Sequence, residues 1–124
     1  MPFLRLETLS PKDQTRRERI AKEAKRFIES HYAEPLTLDV VSESVFLSPS
    51  YFSSLFKEYT KINFTEYLTR VRIEKAKELL EGLDLNITEV AGKAGYEDPN
   101  HFSQVFRKVT GLSPSQYRKK VVPA

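Results

Sequence analysis

One segment of the chain occurs twice. Shifted by fifty positions, residues 37–67 align without a gap on residues 87–117, and seven aligned positions are identical. The identical pairs are Val40 and Val90, Pro49 and Pro99, Phe52 and Phe102, Ser53 and Ser103, Phe56 and Phe106, Thr60 and Thr110, and Tyr67 and Tyr117. Because a repeated sequence folds into a repeated unit, the chain is predicted to contain one supersecondary structure twice.

Both copies have the pattern of helices. Apolar residues recur at intervals of three and four, and helix-capping residues stand where each pattern begins. The predicted caps are Thr37, Ser48, Asp98 and Ser113, and a further helix is predicted to open at about Thr88. The longest pattern runs from Asn63 to Leu80, between the copies. The sequence predicts an all-α fold of seven helices, in which two helix-turn-helix subdomains are joined by a long connecting helix.

The same pattern predicts the domain organisation. It comprises a linker or expression remnant at 1–15, a first helix-turn-helix subdomain at 16–62, the connecting helix at 63–81, a second subdomain at 82–120 and a tail at 121–124. Ser44 and Ala94, which the repeat pairs, are predicted to let the two helices of each unit cross closely. Gly95 is predicted to form the second turn, where the first copy has Val45.

Composition excludes several classes of protein. The chain has no cysteine, which excludes disulfides and thiolate metal sites and favours the cytoplasm. It also lacks an apolar run long enough to span a bilayer, so no membrane partner is expected. The net charge is +3, but residues 99–124 have five basic and no acidic residues, whereas residues 33–60 have four acidic residues and one lysine. A uniform attraction to polyanions is therefore not predicted.

The second helix of each copy has an apolar face and a hydrogen-bonding face. Predicted to point inward are Phe52, Leu55, Phe56 and Tyr59, and in the second copy Phe102, Val105, Phe106 and Val109. Predicted to point outward are Ser50, Ser53, Ser54 and Lys57, and in the second copy Asn100, Ser103, Gln104 and Arg107. Such uncharged faces can read base edges in a major groove. Taken alone, the serines are better explained as a solvated face, but their recurrence in the repeat favours DNA.

These residues resemble the DNA-binding domain of the AraC/XylS transcription regulators. The resemblance covers about Ile20 to Lys119 and is most specific in ITEVAGKAGYEDPNHFSQVFRKVTGLSPSQYR, while LTLDVVSESVFLSPSYFSSLFKEYT is similar to the first copy of that domain. HYAEPLTL and RVRIEKAKELL are similar to members in which the domain follows a response-regulator receiver. The resemblance implies the C-terminal part of a bacterial regulator whose N-terminal receiver or sensor domain is absent from this chain.

The resemblance also implies how DNA is bound. In that family the two second helices enter successive major grooves on one face of the duplex. The connecting segment of 18 residues is about 27 Å long as a helix, comparable with roughly 34 Å between grooves one turn apart once helix widths are added. The partner is then double-stranded DNA, with recognition helices at 49–59 and 99–109.

Carried over residue by residue, the family's base-facing positions are Ser50, Ser53 and Ser54 in the first copy and Pro99, Asn100, Ser103 and Gln104 in the second. Many members have Arg where this chain has Ser54 and Gln104, so strong guanine recognition is not expected. The resemblance predicts weak specificity in the first copy and an A·T preference in the second, with Lys57 and Arg107 at phosphates. Lys61, where the second copy has Gly111, predicts a strained or replaced helix end.

Catalytic and metal sites are not predicted. His31 and His101 have no further His or Cys at ligand spacing, and Glu97 adjoins Asp98, which is better explained as a helix cap. The sequence therefore predicts no enzyme, no cofactor and no metal.

Two alternatives stay open. The cations of the connecting helix fit pairing with neighbouring glutamates as well as contact with the DNA backbone; they are Arg70, Arg72, Lys75 and Lys77. The alternative function is a helical protein-interaction module that contacts RNA polymerase or a sensor domain through the acidic first copy or the charged first helix.

Overall fold

The computed structural model describes residues 11–122, apart from the side chains of Pro11 and Asp13. Within these residues the fold has seven α-helices and no strand, which confirms the predicted fold class. The helices are α1 (Pro11–His31), α2 (Leu38–Ser44), α3 (Pro49–Thr60), α4 (Phe64–Leu80), α5 (Ile87–Lys93), α6 (Pro99–Thr110) and α7 (Pro114–Val121). Residues 1–10 of the predicted linker and residues 123–124 of the predicted tail lie outside the described residues.

The helices form two compact units. The first comprises residues 11–30 and Leu36–Glu66, and the second comprises His31–Pro35 and residues 67–122. Each unit has its own helix-turn-helix pair, α2 with α3 in the first unit and α5 with α6 in the second.

The core of the first unit is built where the apolar faces of α1, α2 and α3 meet. Its fully buried residues are Ala21, Ala24 and Ile28 of α1, Val41 of α2, and Phe52, Leu55 and Phe56 of α3. Tyr59 is partly buried, and its hydroxyl donates a hydrogen bond to the Gln14 carbonyl of α1 at 2.9 Å. The predicted inward face of α3 is confirmed.

The core of the second unit is a cluster of aliphatic and aromatic side chains. It comprises Ile73, Ala76, Leu80, Val90, Ala91, Ala94, Tyr96, Phe102 and Phe106, with Val105 and Tyr117 partly buried against it. The Phe106 ring is tilted against the Phe102 ring, with centres 5.7 Å apart, and makes a T-shaped contact with the Tyr117 ring at 5.5 Å between centres. One inward prediction was wrong: Val109 is 48% exposed, because α6 turns its last apolar position away from the cluster.

The caps explain where the short helices begin. Thr37, Ser48, Asp98 and Ser113 each accept a hydrogen bond from a backbone N–H in the first turn of the following helix, as predicted. The predicted start of α5 at about Thr88 was late. Asn86 and Glu89 form a reciprocal capping box there, so α5 begins at Ile87.

The two units differ in register at the helix-turn-helix turn. The caps Ser48 and Asp98 keep the shift of fifty, but the caps of the preceding helices, Thr37 and Asn86, are 49 positions apart. The gapless pairing was therefore wrong for α2 and α5, because the second turn has one more residue. Buried Val41, not Val40, is the structural equivalent of Val90.

The shift of 49 positions also changes two further predictions. Ser44, predicted to lie at the close helix crossing, is exposed, whereas its predicted counterpart Ala94 is fully buried. In the shifted register Ser42, which is buried and donates to the Asp39 carbonyl at 3.1 Å, corresponds to Ala91. Phe46, not Val45, corresponds to Gly95, and both have positive φ, 59° and 102°.

The ends of α3 and α6 are alike. Lys61 and Gly111 are left-handed, with φ of 70° and 85°, and their N–H groups donate to the Lys57 and Arg107 carbonyls. The left-handed helix end is therefore retained at Lys61 rather than replaced, and it is strained, because this conformation costs a non-glycine residue about 1 kcal/mol. In both units the threonine before it, Thr60 or Thr110, closes the turn with matching side-chain hydrogen bonds.

Candidate nucleic-acid interface

The outward side of α3 consists of short polar side chains. Ser50 is exposed, Ser53 and Ser54 are partly exposed, and Lys57 is exposed in the last turn. The opposite side of the helix is buried in the core of the first unit. These four predicted side chains therefore share one solvent-accessible side of α3.

The outward side of α6 has longer polar side chains. Asn100 and Gln104 are exposed, Pro99 and Ser103 are partly exposed, and Arg107 is exposed near the helix end. Asn100 is held through its backbone, because its N–H donates to the Asp98 carboxylate at 2.9 Å. The carboxamides of Asn100 and Gln104 can each donate and accept hydrogen bonds, as base edges require.

Charge follows the same order along both helices. Neither α3 nor α6 has an acidic residue in its first turn, and each has basic residues in its last turn, Lys57 in α3 and Arg107 and Lys108 in α6. The unpaired N–H groups at a helix start favour an anion, so an acidic first turn would oppose phosphate there. Both outward faces can thus approach a polyanion.

A shallow open depression lies beside the end of α3. Ser54, Lys57, Glu58 and Lys61 line its volume of about 430 Å³. Two ammonium groups and one carboxylate give this surface an excess of one positive charge, in a segment whose sequence is otherwise acidic. The depression thus adds Lys61 to the cations that the sequence placed near the interface.

Residues 41–120 match the profile of a family described as a helix-turn-helix domain. The chain is 45% identical over 94 residues to the HTH-type transcriptional regulator YijO of Escherichia coli K12, an alignment that covers 76% of this chain and 33% of YijO. It also matches the C-terminal domain of AraT, a response regulator from Geobacillus stearothermophilus, with a TM-score of 0.81 and 38% identity over 94% of this chain and 90% of that domain. This chain belongs to the AraC-type helix-turn-helix family.

A further solved structure that this chain matches is a complex with DNA. The DNA-binding domain of AdpA, a global transcriptional factor, was solved with a target DNA and matches with a TM-score of 0.77 and 27% identity over 81% of this chain and 90% of that one. The chain spans about a third of the length of the curated relatives it matches.

One cation of the connecting helix has a role that neither alternative predicted. Arg72 donates from Nε to the Tyr32 carbonyl at 2.8 Å and from a terminal nitrogen to the Glu34 carbonyl at 2.9 Å. Its guanidinium carbon lies 5.6 Å from the centre of the Tyr96 ring. Burial lowers the pKa of Arg72 and raises the pKa of Tyr96, and each shift is partly offset by the charge of the other group. Arg72 holds the second unit of this AraC-type domain together.

The lysines of α4 fit the pairing alternative. Lys75 lies 3.6 Å from the Glu78 carboxylate, and Lys77 lies 3.1 Å from the Glu74 carboxylate. The glutamates are exposed and the lysines are partly exposed, so each pair contributes about 0.5 kcal/mol or less to stability.

One basic side chain near the C-terminal end also forms hydrogen bonds within the protein. Arg118 of α7 donates from Nε to the Leu80 carbonyl at 3.1 Å and from a terminal nitrogen to the Leu79 carbonyl at 3.5 Å, the latter at the limit of a hydrogen bond. It thereby satisfies carbonyl groups at the end of α4. Of the five cations in residues 99–124, four are exposed: Arg107, Lys108, Lys119 and Lys120.

Among the side chains that the structure describes in residues 11–122, which leave out Asp13, no group of three or more His, Asp or Glu could hold a metal ion. In that part of the chain, no helix has the length and apolar character needed to cross a bilayer.

Proposed function

We propose that this AraC-type domain binds double-stranded DNA sequence-specifically and controls transcription by placing α3 and α6 in successive major grooves. The observation that carries this proposal is the pair of capped helices whose outward sides are uncharged, hydrogen-bonding and followed by cations. The solved complex of the related AdpA domain with a target DNA supports it.

The two helices differ in what they can read. Asn100 and Gln104 of α6 are exposed carboxamides, which match the donor and acceptor pattern of adenine. Ser53 and Ser54 of α3 are short and only partly exposed. We therefore assign base selection, with an A·T preference, mainly to α6, and positioning in the groove mainly to α3.

The proposal extends to the longer protein. Residues 16–62 and 82–120 would act as the two DNA-binding subdomains, joined by residues 63–81. A receiver or sensor domain would regulate them in the cytoplasm, since the relatives are about three times longer and AraT is a response regulator.

A second candidate function is protein contact through the first unit. Phe46 is 93% exposed and Val40 is 41% exposed, and the carboxylates of Asp39 and Glu43 are exposed beside Val40 along α2. An apolar surface with acidic neighbours suits a protein partner such as RNA polymerase better than DNA.

The test is selection from a pool of random duplexes at near-physiological salt, followed by titration of the selected duplex and a scrambled duplex at several salt concentrations. Two short enriched boxes about one helical turn apart are expected. Affinity should fall steeply with salt through counterion release.

The other outcomes discriminate between the candidates. A single box would restrict base reading to one helix. No enrichment, with equal weak binding to scrambled DNA, would contradict the proposal and favour the protein-contact function, whose apolar surface predicts little dependence on salt.

A further inference from the structure

Helix α1 contacts the candidate recognition helix of the first unit at both ends. The Arg17 guanidinium carbon lies 4.8 Å from the centre of the Tyr51 ring near the start of α3. Near the end of α3, the Tyr59 hydroxyl donates to the Gln14 carbonyl at 2.9 Å. A residue of the first helix is thereby held beside the start of α3.

Tyr51 borders the outward face of α3. At about 100° per residue, Tyr51, Ser54 and Glu58 form one row along the helix. Ser54 belongs to the predicted base-facing set, and Tyr51 is 40% exposed. When such a helix lies in a groove, residues on this flank are beside the DNA backbone.

Packing against the ring, rather than a hydrogen bond at Nε, holds Arg17. Its Nε is buried and has no hydrogen-bond partner among the described residues, while the side chain as a whole is only partly buried. Stacking of a guanidinium on an aromatic face fixes its plane and leaves its other N–H groups available to a further acceptor.

Charges of both signs lie around this flank of α3. Burial raises the pKa of Tyr59, Arg17 lowers it, and Glu18 and Glu58 raise it further, so both carboxylates lie near the same surface. Residues 33–60 contain Lys57 as their one cation. Arg17 therefore offsets negative charge on this side of α3.

The second unit has a related arrangement. His101 occupies the repeat position of Tyr51 at the start of α6, is exposed, and meets the edge of the Tyr96 ring at 5.7 Å between centres. Both units thus place a ring with a polar tip at this position, each held by a neighbouring side chain.

We propose that Arg17 and Tyr51 together bind a phosphate of the DNA backbone beside α3, so that α1 takes part in seating the first recognition helix. Both side-chain types commonly donate to phosphate oxygens. This inference rests on the proposed function and adds a contact from α1, which precedes the α2–α3 pair.

The test compares Arg17→Gln with Arg19→Gln in the whole chain. Both remove one positive charge from α1, but Arg19 lies two residues on, roughly 200° around the helix from Arg17. Affinity is measured for the duplex selected by the parent and for scrambled DNA at several salt concentrations. Thermal unfolding of each variant provides the check on folding.

Arg17→Gln should weaken binding to both duplexes about five- to tenfold and lower the salt slope by about one, because a phosphate contact does not depend on sequence. Arg19→Gln should change affinity less than about twofold, since an exposed distant charge is screened. Glu58→Gln removes a carboxylate that repels the DNA phosphate. It should strengthen binding by only about twofold, because part of that repulsion is screened by salt.

Tyr51→Phe keeps the ring under Arg17 and removes only the hydroxyl. It should keep the parent's salt slope and lose about two- to threefold in affinity, the effect of one hydrogen bond.

Equal effects of Arg17→Gln and Arg19→Gln, with the parent still selecting a sequence, would overturn this inference and leave the proposed function intact. Loss confined to the selected duplex would also overturn it, because it would indicate base reading. If the unmodified chain selected no DNA sequence, both this inference and the proposed function would be overturned.

Discussion

The two helix-turn-helix turns have the same hydrogen bonds and different surroundings. Leu47 donates to the Ser42 carbonyl at 3.0 Å, and Tyr96 donates to the Ala91 carbonyl at 2.9 Å, each across a left-handed residue. In the second unit that residue is Gly95, packed against the Arg72 side chain and the Tyr32 carbonyl. In the first it is Phe46, whose side chain is almost fully exposed.

The difference shows that backbone conformation and packing impose separate demands on one position. A left-handed φ disfavours a bulky side chain by about 1–2 kcal/mol but does not forbid it. A backbone atom at contact distance does forbid a Cβ. Glycine is thus required in the second turn by the close approach of neighbouring groups, whereas the open first turn tolerates phenylalanine at some cost in stability.

The largest effect is expected for Gly95→Ala. A Cβ there would lie 2.8 Å from Arg72 Nε and 2.8 Å from the Tyr32 carbonyl oxygen. Overpacking and the left-handed backbone together should lower the free energy of unfolding of the second unit by about 3 kcal/mol. Urea unfolding, combined with hydrogen exchange of the α5 and α6 amides, measures this loss of unfolding free energy.

Gly111→Ala is the matched control, because Gly111 also has positive φ but no atom lies within 4 Å of its added Cβ. It should cost only about 1 kcal/mol. Equal losses in the two variants would show that backbone conformation alone explains Gly95.

An intermediate effect is expected on base recognition. Gln104→Ala should reduce discrimination between A·T and G·C at one position of the selected duplex by about 1–3 kcal/mol. Ser54→Ala, in the first unit, should change the preference at any position by less than about 0.5 kcal/mol, since a partly exposed hydroxyl reads little. Binding to single-base variants of the duplex measures both, and an unchanged preference in Gln104→Ala would refute the assignment of base selection to α6.

The smallest effect, of opposite sign, is expected for Phe46→Asn. Asparagine tolerates left-handed φ better than phenylalanine, and the exposed ring has little buried area to lose. The first unit should gain about 0.5–1 kcal/mol in unfolding free energy. Val40→Asn, at an exposed helical position of α2, is the control and should give no gain; destabilisation by Phe46→Asn would instead reveal contacts of the ring within the protein.

Much of the candidate interface could be predicted from the sequence. The caps Ser48 and Asp98 and the inward Phe52, Phe56 and Phe102 depend on local hydrogen bonds and helical spacing, which are visible within ten residues. The outward residues follow as the complement of the buried ones. Their role in DNA binding stays a prediction.

The one-residue shift between α2 and α5 could not be predicted in this way. Val40 and Val41 are adjacent, so either one can be aligned with Val90, and the identity of Val40 with Val90 favoured the wrong choice. A helix of two turns contains too few apolar positions to define its phase. Burial of Val41 and Ser42 against the rest of the unit decided it.

The seven helices, the caps Thr37, Ser48, Asp98 and Ser113 and most of the apolar faces could be read from the sequence, because these depend on interactions between residues close along the chain. Tertiary structure decided which cations are available to a ligand. Arg72 and Arg118 donate to carbonyls 38 to 40 residues away, and Arg17 stacks on Tyr51 in another helix. Such partners are brought together by packing, which the spacing of charges along the chain does not encode.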